Sequence, residues 1–167
     1  MPFESPLETS HELANQINLL ANRLKAKNLL LGTAESCTGG LLAAQLTSFA
    51  GSSKWFDRAI ITYSNQAKIS LLGVLPETIQ QHGAVSETCA RAMLEGLLKQ
   101  VDIGVAITGI AGPDGGSIDK PVGTVWFAFG QQGHPPSTRL EQFEGSREAI
   151  RLQACAFALQ QLTQMLQ

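Results

Sequence analysis

The chain has 167 residues, 44% of them hydrophobic, enough to enclose one substantial core in a single domain. Its 12 basic and 14 acidic residues give a formal charge of −2, and neither sign collects into a block or stripe, so nothing resembles a nucleic-acid footprint. Three widely spaced cysteines, Cys37, Cys89 and Cys155, fit neither a disulfide framework nor a paired-cysteine metal site and suit a reducing cytoplasm; the amino terminus lacks a signal-peptide pattern, and no apolar run reaches membrane-spanning length.

In chain order, residues 1–9 read as a flexible tail and 10–167 as one domain. Ser10 is placed to cap an amphipathic helix with Leu13, Ile17, Leu20 and Leu24 at helical spacing. Leu29–Thr33 has the length and apolarity of a strand, and Leu41–Phe49 reads as a helix after the Gly39-Gly40 turn. Ala59–Tyr63, β-branched and aromatic, predicts a second strand, with Ser64 opening a helix through Leu72. Pro76 opens a short helix that Gly83 closes, and Ser86–Leu98 is helical with Glu87 in its first turn. Ile103–Thr108 is apolar enough for a central strand, Gly109–Pro121 is a loop, and Thr124–Phe129 and Thr138–Phe143 predict two adjacent strands. A last helix from Ser146 aligns Ile150, Ala154, Phe157, Ala158 and Leu162. This alternation predicts an α/β protein, a three-layer α/β/α sandwich whose mixed, mostly parallel sheet has about five or six strands.

Ligands of open α/β sheets bind beyond the carboxyl ends of strands, which singles out three segments. In Ala34–Gly40, a strand runs into a turn with Ser36 at its apex, the logic of a nucleophile elbow, although GxSxG is absent. Backbone N–H groups of Thr38, Gly39 and Gly40 are candidate oxyanion donors; simple capping by Ser36 or Thr38 is the alternative. Cys37, at a helix amino terminus, is a rival nucleophile. A serine needs a base, yet His11, His82 and His134 all occupy positions typical of surface or capping residues, leaving lysine or tyrosine. If Ser64 is an N-cap, Tyr63 and Lys68 hold the positions of a hydrophobic staple, so their side chains can meet either as a proton relay or as a ring packed on the lysine stem. The glycine-rich Thr108–Gly116 segment is a phosphate or ribose cradle or a plain surface loop, with Thr108, Gly109, Gly112, Asp114 and the nearby Lys120 as candidate substrate contacts. Arg147 and Arg151 form a basic pair near a helix start, unexpected from the dipole, and serve either an anion or a solvated face.

The runs Thr33-Ala34-Glu35-Ser36-Cys37-Thr38-Gly39-Gly40, Thr62-Tyr63-Ser64-Asn65-Gln66-Ala67-Lys68, His82-Gly83-Ala84-Val85-Ser86, Thr108 to Gly116 and Lys120-Pro121-Val122-Gly123-Thr124-Val125 together resemble the CinA carboxy-terminal domain family over nearly the whole chain. The resemblance implies a metal-independent, cofactor-free amidohydrolase that converts nicotinamide mononucleotide (NMN) to nicotinate mononucleotide and ammonia. It places the family's catalytic serine, tyrosine and lysine on Ser36, Tyr63 and Lys68. It also implies a stand-alone, cytoplasmic homodimer or higher homo-oligomer with no nucleic-acid or membrane partner. A non-catalytic nucleotide-binding or regulatory module is the alternative function.

Overall fold

The computed structural model describes residues 6–167, with side chains from His11 onward. In chain order the elements are α1 (Pro6–Lys27), β1 (Leu31–Glu35), α2 (Leu41–Thr47), a 3-10 turn (Ser52–Lys54), β2 (Phe56–Ile61), α3 (Asn65–Leu72), α4 (Pro76–His82), α5 (Glu87–Leu98), β3 (Ile103–Gly109), β4 (Thr124–Gln131), β5 (Ser137–Gln142) and α6 (Arg147–Met165). Local chemistry sets several boundaries. The hydroxyls of Ser64, Ser86 and Ser146 each accept the N–H three residues on, so each is an N-cap, as expected of Ser64. Several expected boundaries move. Strand β1 runs over Leu31–Glu35, two residues on from the expected Leu29–Thr33, because its ladders to β2 and β3 open at Leu31. Helix α1 begins at Pro6, so only residues 1–5 of the expected tail lie outside the described residues, and Ser10 stands inside the helix. Proline suits that first helical position because its missing N–H would have no partner there. Strand β2 starts at Phe56 and stops at Ile61, because its ladder with β1 pairs Leu31 with Phe56 and Glu35 with Ile61. That leaves Thr62 and Tyr63 beyond the strand end.

The strand order is β2-β1-β3-β4-β5. β1 pairs in parallel with both β2 and β3, whereas β3 with β4 and β4 with β5 are antiparallel. Four strands therefore share one direction and β4 alone is reversed, which suits the long helix-free loop between β3 and β4. From β1 the chain moves outward to β2 and then returns to the other side as β3. The crevice between the carboxyl ends of β1 and β3 is thus the topological switch point, where ligands of such sheets bind.

The two faces of the sheet differ in side-chain size. Leu31, Ile103, Val105, Ile107, Val125, Phe127 and Phe129 pack with α1, α2 and α6. On the other face the register aligns Gly32, Gly104 and Gly130 in one row and Ala34, Ala106 and Ala128 in the next. That flat surface admits α5: a Cβ on Gly104 would fall 2.6 Å from Leu97 Cδ2, and one on Gly32 3.1 Å from Leu97 Cδ1. Helix α3 in turn lies directly on α5 at Gly96, where a Cβ would sit 2.0 Å from Leu72 O. Among the described residues no helix is long and apolar enough to cross a membrane. Because the Leu72 carbonyl cannot yield without moving α3, Gly96→Ala is expected to lower stability by about 2–3 kcal/mol, read from the urea midpoint.

Candidate active site

Side chains alternate between faces along β1, so Leu31 and Thr33 face α2 and α6 while Gly32 and Ala34 face α5. The alternation sends Glu35 to the first face and Ser36 to the second. Glu35 is fully buried. Its Oε1 accepts Thr33 Oγ1 at 3.0 Å and Ala43 N–H at 2.9 Å; its Oε2 accepts Thr38 Oγ1 at 2.8 Å, Gly40 N–H at 2.9 Å and Leu42 N–H at 3.2 Å. Helix α2 has Gly40 at its N-cap and no acid in its first turn, and Glu35 supplies the missing cap from the preceding strand. Gly39 and Gly40, at φ 55° and 95°, make the tight turn that brings the helix start over this carboxylate.

This arrangement corrects the expected oxyanion donors. Gly40 N–H is committed to Glu35, and Gly39 N–H donates to Ser36 O at 3.0 Å. Among the described residues, the N–H groups of Cys37 and Thr38 carry no backbone hydrogen bond. Of Thr38, Gly39 and Gly40, only Thr38 remains available, joined by Cys37, the residue after the serine.

Ser36 is 8% exposed, and Lys68 Nζ donates to its Oγ at 3.0 Å. The lysine side chain is almost wholly shielded, at 2% exposure, and its other partner is the Thr62 carbonyl at 2.8 Å. Burial lowers its pKa from the ordinary 10.5, with nearby Cys89 and Cys37 acting weakly the other way. All three histidines are exposed, and none replaces Lys68 at Ser36. The Cys37 thiol is pushed up to about 11 by burial, against the opposing influence of Arg151, and so stays protonated near neutral pH. That disfavours it as the nucleophile.

Tyr63 does not join this pair. It is 61% exposed, and its hydroxyl accepts from Arg147 Nη2 at 2.7 Å. The staple expected between Tyr63 and Lys68 is replaced because the ammonium is drawn inward by Ser36 and the Thr62 carbonyl, leaving the ring to the arginine. The basic pair at the start of α6 is explained by the same contacts. Arg147 Nη1 also donates to Gly112 O at 2.8 Å, while Arg151 donates to Cys37 O at 3.1 Å and Thr38 O at 2.8 Å. Among the described residues neither arginine forms a salt bridge.

The candidate residues of the glycine-rich segment pack within the fold. Thr108 is buried, and its hydroxyl donates to Ala84 O at 2.8 Å. Gly109 closes β3 against β4, since a Cβ there would meet Val125 Cγ2 at 2.7 Å; Gly112, at φ 76°, would meet Val122 Cγ1 at 2.4 Å. These glycines serve backbone packing, and Gly112 reaches the site through its carbonyl. Lys120 Nζ donates to His82 O at 3.0 Å and ties the loop to the end of α4. Asp114 is exposed and lines, with Gly116, Ile118 and Val122, an open depression of about 590 Å³ that neither Ser36 nor Lys68 borders.

A serine and a buried lysine at the switch point of a mixed α/β sheet define a hydrolase-like site, and comparison with known proteins agrees. Residues 13–166 match the CinA C-terminal domain. The chain belongs to that family. It is 52% identical over 158 residues to nicotinamide-nucleotide amidohydrolase PncC of Escherichia coli (strain K12), covering 93% of this chain and 96% of that one. It is 53% identical over 152 residues to the protein of the same name from Enterobacter agglomerans, covering 90% and 91%. A crystal structure of a CinA superfamily protein from Klebsiella pneumoniae superposes with a TM-score of 0.87 at 41% identity, covering 92% of this chain and 97% of that one.

Glu35 and Thr62 are the site residues that sequence reasoning missed. The signal for Glu35 was an absence: a helix opening on Gly40 with neither a capping side chain nor an acid in its first turn. All five groups on its carboxylate are donors, so a glutamine there would turn its amide nitrogen against backbone N–H groups that cannot rotate away. Glu35→Gln is expected to cost about 2–4 kcal/mol in urea unfolding, and Thr33→Val, which removes one rotatable hydroxyl, about 1 kcal/mol.

Proposed function

We propose that this chain is a nicotinamide-nucleotide amidase that hydrolyses the carboxamide of NMN to nicotinate mononucleotide and ammonia, with Ser36 as nucleophile and Lys68 as its base. The observation that carries this reading is the buried Lys68 Nζ at 3.0 Å from Ser36 Oγ. Its support in the comparisons is the amidohydrolase activity in the names of relatives that match over nearly their full length. The chain is an amidohydrolase in this account, and the nucleotide is its substrate.

Neutral Lys68 accepts the Ser36 proton as Oγ attacks the carboxamide carbon. The carbon–nitrogen bond breaks as that proton passes from Lys68 to the departing nitrogen, which leaves as ammonia, and the acyl group remains on Oγ. Lys68, again neutral, takes a proton from water as the water oxygen attacks the acyl carbon; the carbon–Oγ bond breaks and Lys68 returns the proton to Ser36. In both halves the oxyanion is met by the N–H groups of Cys37 and Thr38 at the start of the turn into α2. Arg151 holds the Cys37 carbonyl, which shares a peptide plane with Thr38 N–H, and Gly39 N–H holds the Ser36 carbonyl, which shares one with Cys37 N–H.

Tyr63 acts here with Arg147 in binding, not as a partner of Lys68. Arg147 is exposed, free of carboxylate partners among the described residues, and one hydrogen bond from both Tyr63 and the glycine loop, so it suits the substrate's phosphate. Three free, buried cysteines support a reducing compartment and hence a cytoplasmic enzyme. The homo-oligomer implied by the family resemblance is checked by sedimentation of pure protein.

Ammonia release from NMN by pure protein is the direct test. Ser36→Ala is expected to release none above background, and Lys68→Met is expected to lose about 100- to 10,000-fold in kcat. A folded Ser36→Ala protein with full activity would remove the proposal. Because Lys68 must be neutral to act and burial lowers its pKa, activity should rise with pH along a limb whose midpoint lies below 10.5; Ser36→Ala, lacking the reaction, would show no such limb. Arg147→Ala is expected to raise KM for NMN by about 10- to 100-fold. The same change should leave any turnover of nicotinamide riboside, which has no phosphate, unaltered.

A further inference from the structure

Of the phenylalanine, tryptophan and tyrosine rings among the described residues, Tyr63 alone is exposed, at 61%, and it is in contact with no other ring. An open aromatic face is unusual in a chain that buries or half-buries the rest, and its place in the fold gives it a use.

The strands fix that place. Thr62 N–H bonds to Glu35 O at 2.9 Å, so Tyr63 stands just past the last residue that the end of β2 ties to β1. Lys68 Nζ bridges Ser36 Oγ and Thr62 O, at 3.0 and 2.8 Å, so the peptide that leads into Tyr63 lies two hydrogen bonds from the nucleophile. The order β2-β1-β3 makes the segments after β2 and β3 flank the turn that carries Ser36. Tyr63 Oη accepts from Arg147 Nη2 at 2.7 Å, and Arg147 Nη1 donates at 2.8 Å to Gly112 O, beyond β3. Phenol and guanidinium thus form a bar between the two flanking segments. Arg151, one helical turn further along α6, bonds to Cys37 O and Thr38 O, which holds this end of α6 against the serine's own turn.

The charges around the ring pose a problem for a cationic substrate. Among the described residues, Lys68, Arg147 and Arg151 bond to no carboxylate, and neither does Tyr63. Glu35 is fully buried with five donors of its own. The pyridinium ring of NMN carries a positive charge next to the carboxamide. What this site offers such a ring is the negative face of an aromatic side chain.

We infer that the open face of Tyr63 is the pyridinium subsite: the substrate's ring lies on the phenol with its carboxamide toward Ser36, and the site selects carboxamides of cationic, N-substituted pyridines over neutral ones. This rests on the amidase reading above for the identity of the ligand. The hydroxyl holds the ring in place through Arg147 and carries no proton in the reaction.

Binding is measured by titration calorimetry on Ser36→Ala protein, which is expected not to turn NMN over. The ligands are NMN and its reduced form, whose dihydropyridine ring is neutral. Ser36→Ala is expected to bind NMN at least about fivefold more tightly than the reduced form. Adding Tyr63→Leu should weaken NMN about 5- to 30-fold and the reduced form by no more than about threefold. Adding Tyr63→Phe, which keeps the ring, should leave NMN within about threefold. No preference in Ser36→Ala, equal losses for the two ligands on adding Tyr63→Leu, or a Tyr63→Phe protein as weak as Tyr63→Leu would each overturn the inference, the last by assigning the effect to the hydroxyl. Absence of NMN binding would overturn it as well. The expected preferences in a protein whose wild type releases no ammonia would support the subsite and remove the amidase reading alone.

Discussion

A carboxylate without access to solvent has to be surrounded by donors, and the five that surround Glu35 come from the strand before it, the turn after it and the first turn of α2. That network ties three pieces of backbone to one side chain and fixes where the turn between β1 and α2 may lie. Ser36 sits one residue away on the opposite face, so its position inherits the constraint. The carboxylate also takes the Gly40 N–H, so the proposed mechanism turns to the N–H groups of Cys37 and Thr38 for the oxyanion.

The other half of the site depends on the small-residue face of the sheet. Glycine and alanine rows allow α5 to settle against the strands, and Gly96 allows α3 to settle against α5. The end of that stack is Lys68, buried from water with Ser36 Oγ and a carbonyl as its partners. The pKa shift that makes a lysine usable as a base is thus a product of helix packing, and no acidic neighbour appears among its causes. The two faces divide the labour: one holds the backbone on either side of Ser36, the other buries Lys68.

Features governed by local chemistry were legible in the sequence. The cap at Ser64, the helix starts at Ser86 and Ser146, the closing Gly83 and the central strand expected over Ile103–Thr108 follow from short-range preferences, and exclusion of the histidines left Tyr63 and Lys68 as candidate partners of Ser36. Features governed by distant contacts were not. The partners of Glu35 on α2 are five to eight residues away, outside the usual capping interval. Tyr63 and Lys68 have the spacing of a staple, but a staple needs two apolar side chains, and a lysine with buried oxygen partners turns away from its neighbour. Gly109 and Gly112 look the same in sequence whether backbone approaches a phosphate or a neighbouring strand, and here it approaches Val125 and Val122. Thr62 carried no signal, since its contact with Lys68 is made by a backbone carbonyl that every residue has.

The central claim is that Ser36 Oγ forms a covalent bond with the substrate's acyl group. Rapid acid quench of the protein during turnover of NMN, followed by fragmentation mass spectrometry of the peptide containing Ser36 and Cys37, reads this directly. The account predicts the nicotinate mononucleotide acyl group on Ser36, present during turnover and gone when NMN is exhausted. The same group on Cys37, with Ser36 unmodified, would contradict it.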